Sequence, residues 1–319
     1  MKKIKIFKAS SFAYTPFDDF ESGDHKYLNE RGISLVCSAK QADVIVSQNL
    51  KHLKKYFPLR FKNKKFLIWT LEPKFDTSFK SLISKYFGLV NIHIMNVYTG
   101  DILINNIATY AKKIDKNLNY LDEKFRLSNR KVVALMSHYK GLRTEKLMKN
   151  NRNIDLIALR TKIALDGHEK NCVDIFGKGW PKGFSKENSR TGNWKLRKKE
   201  IMQPYYFNLC FENTATAHYM TEKIWDSIEN YCLPIYYAAN TQAYETFPKD
   251  SFIDYSKFKT PSELFEFIDN MTNKEYVKRI NKCIDVYKSI SKQSSALHRE
   301  NRKLILDNIV NKLVEISPK

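Results

Sequence analysis

"YYFNLCFENTATAHYMTEKIWDSIENYCLPIYYA", residues 205–238, changes character three times. An apolar run of strand composition collides at Glu212 and Asn213 with an acid and an amide, then passes through small polar residues. From Thr221 to Tyr231 the residues Ile224, Ile228 and Tyr231 fall on one helical face, and "CLPIYYA" (232–238) is again a strand. A strand, a helix and a second strand in so short a span make one unit of a parallel sheet.

The same alternation extends in both directions. "KIKIF", "ISLVCS" (33–38), "ADVIVSQ" (42–48), "KFLIWT" (65–70) and "NIHIM" (91–95) are strand candidates in the first half. In the second half, "NCVDIFGKG" (171–179), the two strands above and "SFIDY" (251–255) play that part. "NRKVVALMSHYKG" (129–141) is a further strand, preceded by a polar stretch that reads as linker or helix and marks the domain boundary. From Thr260 the chain is helical, beginning with "TPSE", a Thr cap, a first-turn Pro and a Glu three residues on. The expectation is an α/β protein of two doubly wound, Rossmann-like domains facing a central cleft, with a helical C-terminus and ligands at the carboxyl ends of the strands. The boundaries are set at 1–145, 146–290 and a C-terminal helix, 291–319, that packs back on the first domain.

At 319 residues the chain suits two cores, and 43% hydrophobic residues with 18 Tyr and 20 Phe exclude a disordered protein. The net charge of +21 asks for an anionic partner: nucleic acid, a membrane surface or a phosphorylated ligand. Residues 51–65 carry seven Lys/Arg and no acid, and residues 178–199 carry eight against Glu187 alone. Five scattered cysteines without metal-ligand spacing read as reduced core residues. The N-terminus has no signal-like apolar run and no stretch approaches the ~18 residues of a membrane span. The expected location is therefore the cytoplasm, with the basic faces resting on the inner face of a membrane.

Three places can carry chemistry. Gly177, Gly179 and Gly183 follow a strand in a basic setting, either as a phosphate-approaching turn or as an ordinary strand end. Glu212 and Asn213 stand at a strand end, followed by a helix whose N-terminus and Lys223 suit phosphate; Glu222 there is a cap or faces hydroxyls, and Tyr219 is a site residue or a packed ring. In the first half Glu72, before Pro73, is a candidate general base, with Asp76 and Asp101 as rivals. The absence of a DxD sequence leaves charge neutralisation to Lys, Arg and helix N-termini, so no metal and no cofactor is expected.

These residues resemble the α-1,3/4-fucosyltransferases. Residues 207–238 are similar to the family pattern FxLxFENxxxxxYxTEKIxDA followed by PIYxG, with Phe207, Phe211, Glu212, Asn213, Tyr219, Thr221, Glu222, Lys223, Ile224, Asp226, Pro234, Ile235 and Tyr236 in place and Ala238 where the family has Gly. "CVDIFGKG" resembles its VDxxGxG turn. Arg160, 13 residues before Val173, has the spacing of its donor-binding arginine, with Arg143 a rival. "LEP" resembles its ESP element, with the Ser either replaced by Lys74 or absent, and "NVYTGDI" its tyrosine-containing segment.

The resemblance implies a GT-B fold, an acceptor-binding first domain and a GDP-fucose-binding second one. It implies an inverting enzyme that transfers L-fucose from GDP-fucose to an oligosaccharide or lipid-linked glycan, at GlcNAc or Glc in α-1,3 or α-1,4 linkage. Glu72 is then the base, while Arg160, Asn213, Tyr219, Glu222 and Lys223 bind the donor. A divalent cation is at most stimulatory. The alternatives are a transferase of the same fold using another nucleotide sugar and, in a different class, a basic nucleic-acid-binding protein, for which the sequence carries no recognition motif.

Overall fold

The computed structural model describes residues 3–9, 14–107, 110–114, 116–189 and 192–317, with backbone alone at Leu142 and Arg143. They form two compact units: one runs to Asn105 and takes in the residues from Arg299 onward, and the other is Asn106–His298.

In the first unit, strands β1 (Ile4–Lys8), β2 (Ile33–Leu35), β3 (Val44–Ser47), β4 (Lys65–Trp69), β5 (Leu82–Lys85) and β6 (Val90–Met95) form a sheet in the order β2-β1-β3-β4-β6-β5. All pairs are parallel except β5 with β6. Val44, Ile45, Val46 and Ser47 are all buried, as a strand covered on both faces requires. Helices α1 (Asp24–Glu30) and α2 (Leu50–Leu53) belong to this unit.

The second unit contains β7 (Val132–Leu135), a short hairpin of β8 (Met148–Lys149) and β9 (Arg152–Asn153), then β10 (Val173–Phe176), β11 (Phe207–Leu209), β12 (Leu233–Tyr236) and β13 (Ile253–Asp254). Apart from the hairpin these make a parallel sheet in the order β10-β7-β11-β12-β13. The chain runs outward from β7 to β10 on one side and from β11 to β13 on the other, so the order reverses between β7 and β11. Loops leaving those two strands diverge there, and the crevice they leave is where such sheets take ligands. Helices α3 (Ile157–Glu169), α4 (Trp194–Met202), α5 (Glu222–Glu229), α6 (Ala243–Thr246), α7 (Pro261–Asp269) and α8 (Asn273–Ser291) complete the unit. The apolar face of α5 packs Ile224, Trp225 and Ile228 into the core. Thr260 caps α7 by accepting the Glu263 N–H at 3.3 Å.

The last helix, α9 (Ser294–Ile316), continues from Arg299 as part of the first unit. There Arg302 pairs with buried Asp24, and Asp307 accepts the Tyr27 hydroxyl at 2.5 Å.

The units divide at Asn105 and His298 rather than at the expected 145 and 290, and β7 lies in the second sheet. The polar stretch before β7 is neither a free linker nor an α-helix. It is tied to the second unit by side chains: Tyr231 accepts the Asn119 N–H, Asn281 both accepts from and donates to the Leu121 backbone, and Asn273 accepts the Leu127 N–H. The cysteines are all free; Cys210, Cys232 and Cys283 are core residues, Cys172 is half-buried and Cys37 is exposed.

Candidate functional site

Past β11, the carbonyl of Asn213 accepts the Leu156 N–H at 3.1 Å and Ala215 donates to the Ile154 carbonyl at 2.8 Å. This lacing sets the start of α3 against the loop after β11. Asp155 caps α3 by accepting the Ala158 N–H, and Arg160 lies in the first helical turn.

Arg160 is 5% exposed. Its Nη1 donates to the Phe211 carbonyl at 3.1 Å, but its Nε has no acceptor and no carboxylate lies within ion-pair distance among the described residues. Burial pushes the guanidinium pKa down; Tyr139 in the loop after β7, Glu212 and Tyr219 in the loop after β11, and Asp155 oppose that shift. A buried cation held mainly by dipoles and distant charges is costly until an anion reaches it. In the loops after β7 and β11, the buried hydroxyls of Ser137, Thr214 and Thr216 also lack hydrogen-bond partners among the described residues. Buried polar groups are ordinarily satisfied, so these atoms keep hydrogen-bonding capacity near the carboxyl ends of β7 and β11.

Glu212, 1% exposed, is a different case. It accepts the Thr221 N–H at 2.6 Å, the Thr221 hydroxyl at 2.9 Å and the Lys223 ammonium at 3.0 Å. Burial raises the Glu212 pKa, while Lys223 and the Thr221 N–H act to lower it. Burial also opposes the Lys223 charge, but Glu212 and Glu222 outweigh it and hold the ammonium pKa above its usual value. Lys223 retains 25% exposure and its Nζ stands 3.7 Å from Glu222. Glu222, at the head of α5, is brought down to about 2: burial would raise it, yet Lys223, Lys198 and its own backbone N–H prevail. Two carboxylates and one ammonium thus gather at the N-terminus of α5.

Five of the six expected site residues come together in the second unit: Arg160, Asn213, Tyr219, Glu222 and Lys223. The side chain of Arg143 lies outside the described residues. Glu72 belongs to the first unit, in the turn after β4, where it is exposed. Its N–H donates to Thr70 at 3.0 Å and its carbonyl accepts the Phe75 N–H. The Tyr98 hydroxyl donates to the neighbouring Pro73 carbonyl at 2.7 Å, so the "LEP" and "NVYTGDI" segments meet. Of the rivals, Asp76 is buried and accepts from Asn96 and Ser78 at 2.7 and 2.8 Å. The Asp101 pKa is raised by burial, with the Thr99 hydrogen bond at 2.5 Å opposing.

Gly177 and Gly179 serve packing. A Cβ at Gly177 would lie 2.2 Å from the Met136 carbonyl oxygen and one at Gly179 2.7 Å from that of His138. The Gly177 N–H is already taken by the Glu187 carbonyl and the Ser185 hydroxyl. Sequence reasoning did not single out Ser137, Thr214, Thr216 or Asp155; hydroxyls just past strand ends were the available signal. It quoted Glu212 without foreseeing that it binds Lys223.

A GT-B fold, two doubly wound α/β units with a helical C-terminus, is the class defined here. It is shared with a crystal structure of alpha1,3-fucosyltransferase, 18% identical with a TM-score of 0.50 over 96% of this chain and 90% of that one. It is also shared with the DNA modifying enzyme beta-glucosyltransferase, 9% identical with a TM-score of 0.50 over 95% and 99%. Residues 143–299, just under half of this chain, match the model of glycosyltransferase family 10 (fucosyltransferase) C-term, and the chain is similar to that family through this segment. Among curated relatives, the alpha-(1,3)-fucosyltransferase FucT of Helicobacter pylori is 40% identical over 86 residues, 27% of this chain and 18% of the relative. The 3-galactosyl-N-acetylglucosaminide 4-alpha-L-fucosyltransferase FUT3 of Homo sapiens is 29% identical over 127 residues, 38% of this chain and 31% of the relative. The matches therefore span less than a third of either relative. No helix among the described residues is long and apolar enough to cross a membrane.

Proposed function

We propose that this chain is an inverting fucosyltransferase that moves L-fucose from GDP-fucose to a hydroxyl of a glycan, at GlcNAc or Glc in α-1,3 or α-1,4 linkage. The observation that carries the reading is the buried Arg160 guanidinium, lacking an ion-pair partner among the described residues, in the segment that matches the family 10 model. In this reading Arg160 and the exposed edge of Lys223 meet the diphosphate, and Asn213, Tyr219 and Glu222 meet the ribose, the fucose or nearby backbone. The acceptor oxygen forms a bond to the anomeric carbon while the bond from that carbon to the β-phosphate oxygen breaks. The hydroxyl proton passes to Glu72, and GDP leaves with its negative charge facing the two cations. No resident metal takes part, and a divalent cation at most stimulates. The acceptor is an oligosaccharide or a lipid-linked glycan, and peripheral contact with an anionic membrane belongs to the same reading.

The test is GDP release from GDP-fucose with lactose, N-acetyllactosamine and its β-1,3-linked isomer, with and without EDTA. The expected result is acceptor-dependent release that survives EDTA. Release from another nucleotide sugar in place of GDP-fucose would move the reading to a different donor, and silence with every donor would overturn it.

A further inference from the structure

The first unit carries a basic and aromatic surface to which the proposed transfer assigns no role. Between Val44 and Gly100 the chain has ten Lys/Arg and two acids, Glu72 and Asp76, the second tied to Asn96 and Ser78. The 3-10 run Lys54–Lys62 meets the β5–β6 hairpin where the Phe57 and Tyr86 rings pack edge to face, centroids 5.9 Å apart. At the hairpin turn Tyr86 and Phe87 both take left-handed backbone, φ 52° and 54°, ahead of Gly88, and the Leu89 N–H closes the turn on the Tyr86 carbonyl at 3.1 Å. Aromatic residues seldom adopt that conformation. Here it leaves Phe87 wholly in solvent, with Tyr86 and Leu89 more than half exposed. On the neighbouring 3-10 run Phe61 is 77% exposed, and the Arg60 guanidinium stacks 4.0 Å over its ring.

Exposed rings and aliphatic side chains set among lysines with no intervening acid are the composition of an interfacial membrane-binding face. Nucleic acid would also meet the lysines, but Leu82 and Leu89 offer nothing to a base or a phosphate, whereas acyl chains accept them. Lys54, Lys55, Lys62, Lys80 and Lys85 are exposed and complement anionic headgroups. We infer that the Lys54–Lys62 run and the Tyr86–Leu89 turn form a docking face for an anionic bilayer, with Phe61, Phe87 and Leu89 entering the headgroup boundary. This deepens the membrane-contact part of the proposed function and is independent of the donor.

The test is co-sedimentation of the full chain with vesicles of phosphatidylcholine alone or mixed with phosphatidylglycerol, at low and high salt. GDP binding is measured in parallel by calorimetry, so that failure of the donor reading and failure of this one are read separately. The expected result is binding to the anionic vesicles only, weakened by salt. F61S/F87S should lower partitioning by about tenfold or more through lost apolar insertion. K54E/K55E should lower it by about tenfold or more through lost headgroup attraction, with the melting temperature of wild type as the check on folding. Equal partitioning of both well-folded variants and wild type would overturn the inference. So would binding indifferent to phosphatidylglycerol, preferential capture of RNA or DNA over vesicles, or a lipid-free dimer that F61S/F87S dissolves.

Discussion

Glu72 and Glu212 each stand three residues past the end of a parallel strand, β4 in the first unit and β11 in the second. Their surroundings are opposite. Glu72 is exposed and anchored through its backbone, with a tyrosine fixing the adjacent carbonyl. Glu212 is enclosed, and its oxygens are occupied by Thr221 and Lys223. Equivalent positions in two sheets thus hold one carboxylate exposed to solvent and one enclosed and bound to a lysine. Strand-end location nominates an acid for function, and desolvation together with hydrogen bonding decides which function.

The comparison can be broken first at Glu72. In the proposed transfer, E72Q should lower turnover by ~10²- to 10⁴-fold with donor affinity and melting temperature unchanged, because only proton transfer is removed. Near wild-type turnover would take the base away from this residue. The next largest effect is expected at Arg160: R160A should weaken GDP binding by ~2 to 5 kcal/mol in titration calorimetry, as for a desolvated charge losing its partner. If GDP binds R160A as tightly as wild type, the buried guanidinium serves the fold alone.

At Glu212 the contrast predicts a stability loss where Glu72 gives none. E212Q leaves Lys223 beside a neutral amide and should lower unfolding free energy by about 3 kcal/mol in urea titrations, the low end for a broken buried pair because Lys223 is partly solvated. A stable E212Q protein would show that the ion pair does not organise the head of α5.

The smallest effect concerns Glu222, whose folded pKa of about 2 lies below its ordinary 4.5. A depressed carboxyl stabilises the fold above the ordinary value, and that contribution is lost as pH falls from 4.5 through about 2. The melting-temperature gap between wild type and E222Q should therefore be full at pH 6 and shrink across that window. A gap that is constant with pH would mean that Glu222 acts through packing and not through charge.

The strands expected from apolar runs are present, most with ends shortened by a few residues, because both faces of a parallel strand are buried and its composition is correspondingly continuous. Strand β5 escaped that reading since "LISK" is an exposed edge segment, with only Ile83 even partly buried. The domain boundary was misplaced because the stretch before β7 owes its attachment to Tyr231, Asn273 and Asn281, residues 112 to 160 positions away, and no local pattern announces such bonds. Within the site, Glu212, Asn213, Tyr219, Glu222 and Lys223 were legible as a strand end and helix start. The unsatisfied state of Arg160 and the Thr214 and Thr216 hydroxyls was not.

By itself the sequence determined the class of fold, the order of its buried parallel strands and the residues at the carboxyl end of β11, since hydrophobic periodicity and capping chemistry are local properties of the chain. Tertiary structure alone decided that the sheet order reverses between β7 and β11, that Arg160 is buried without an ion-pair partner among the described residues, and that Lys223 is shared between Glu212 and Glu222. Burial and pairing depend on segments distant in sequence, and they set the charge and hydrogen-bonding capacity left for a ligand.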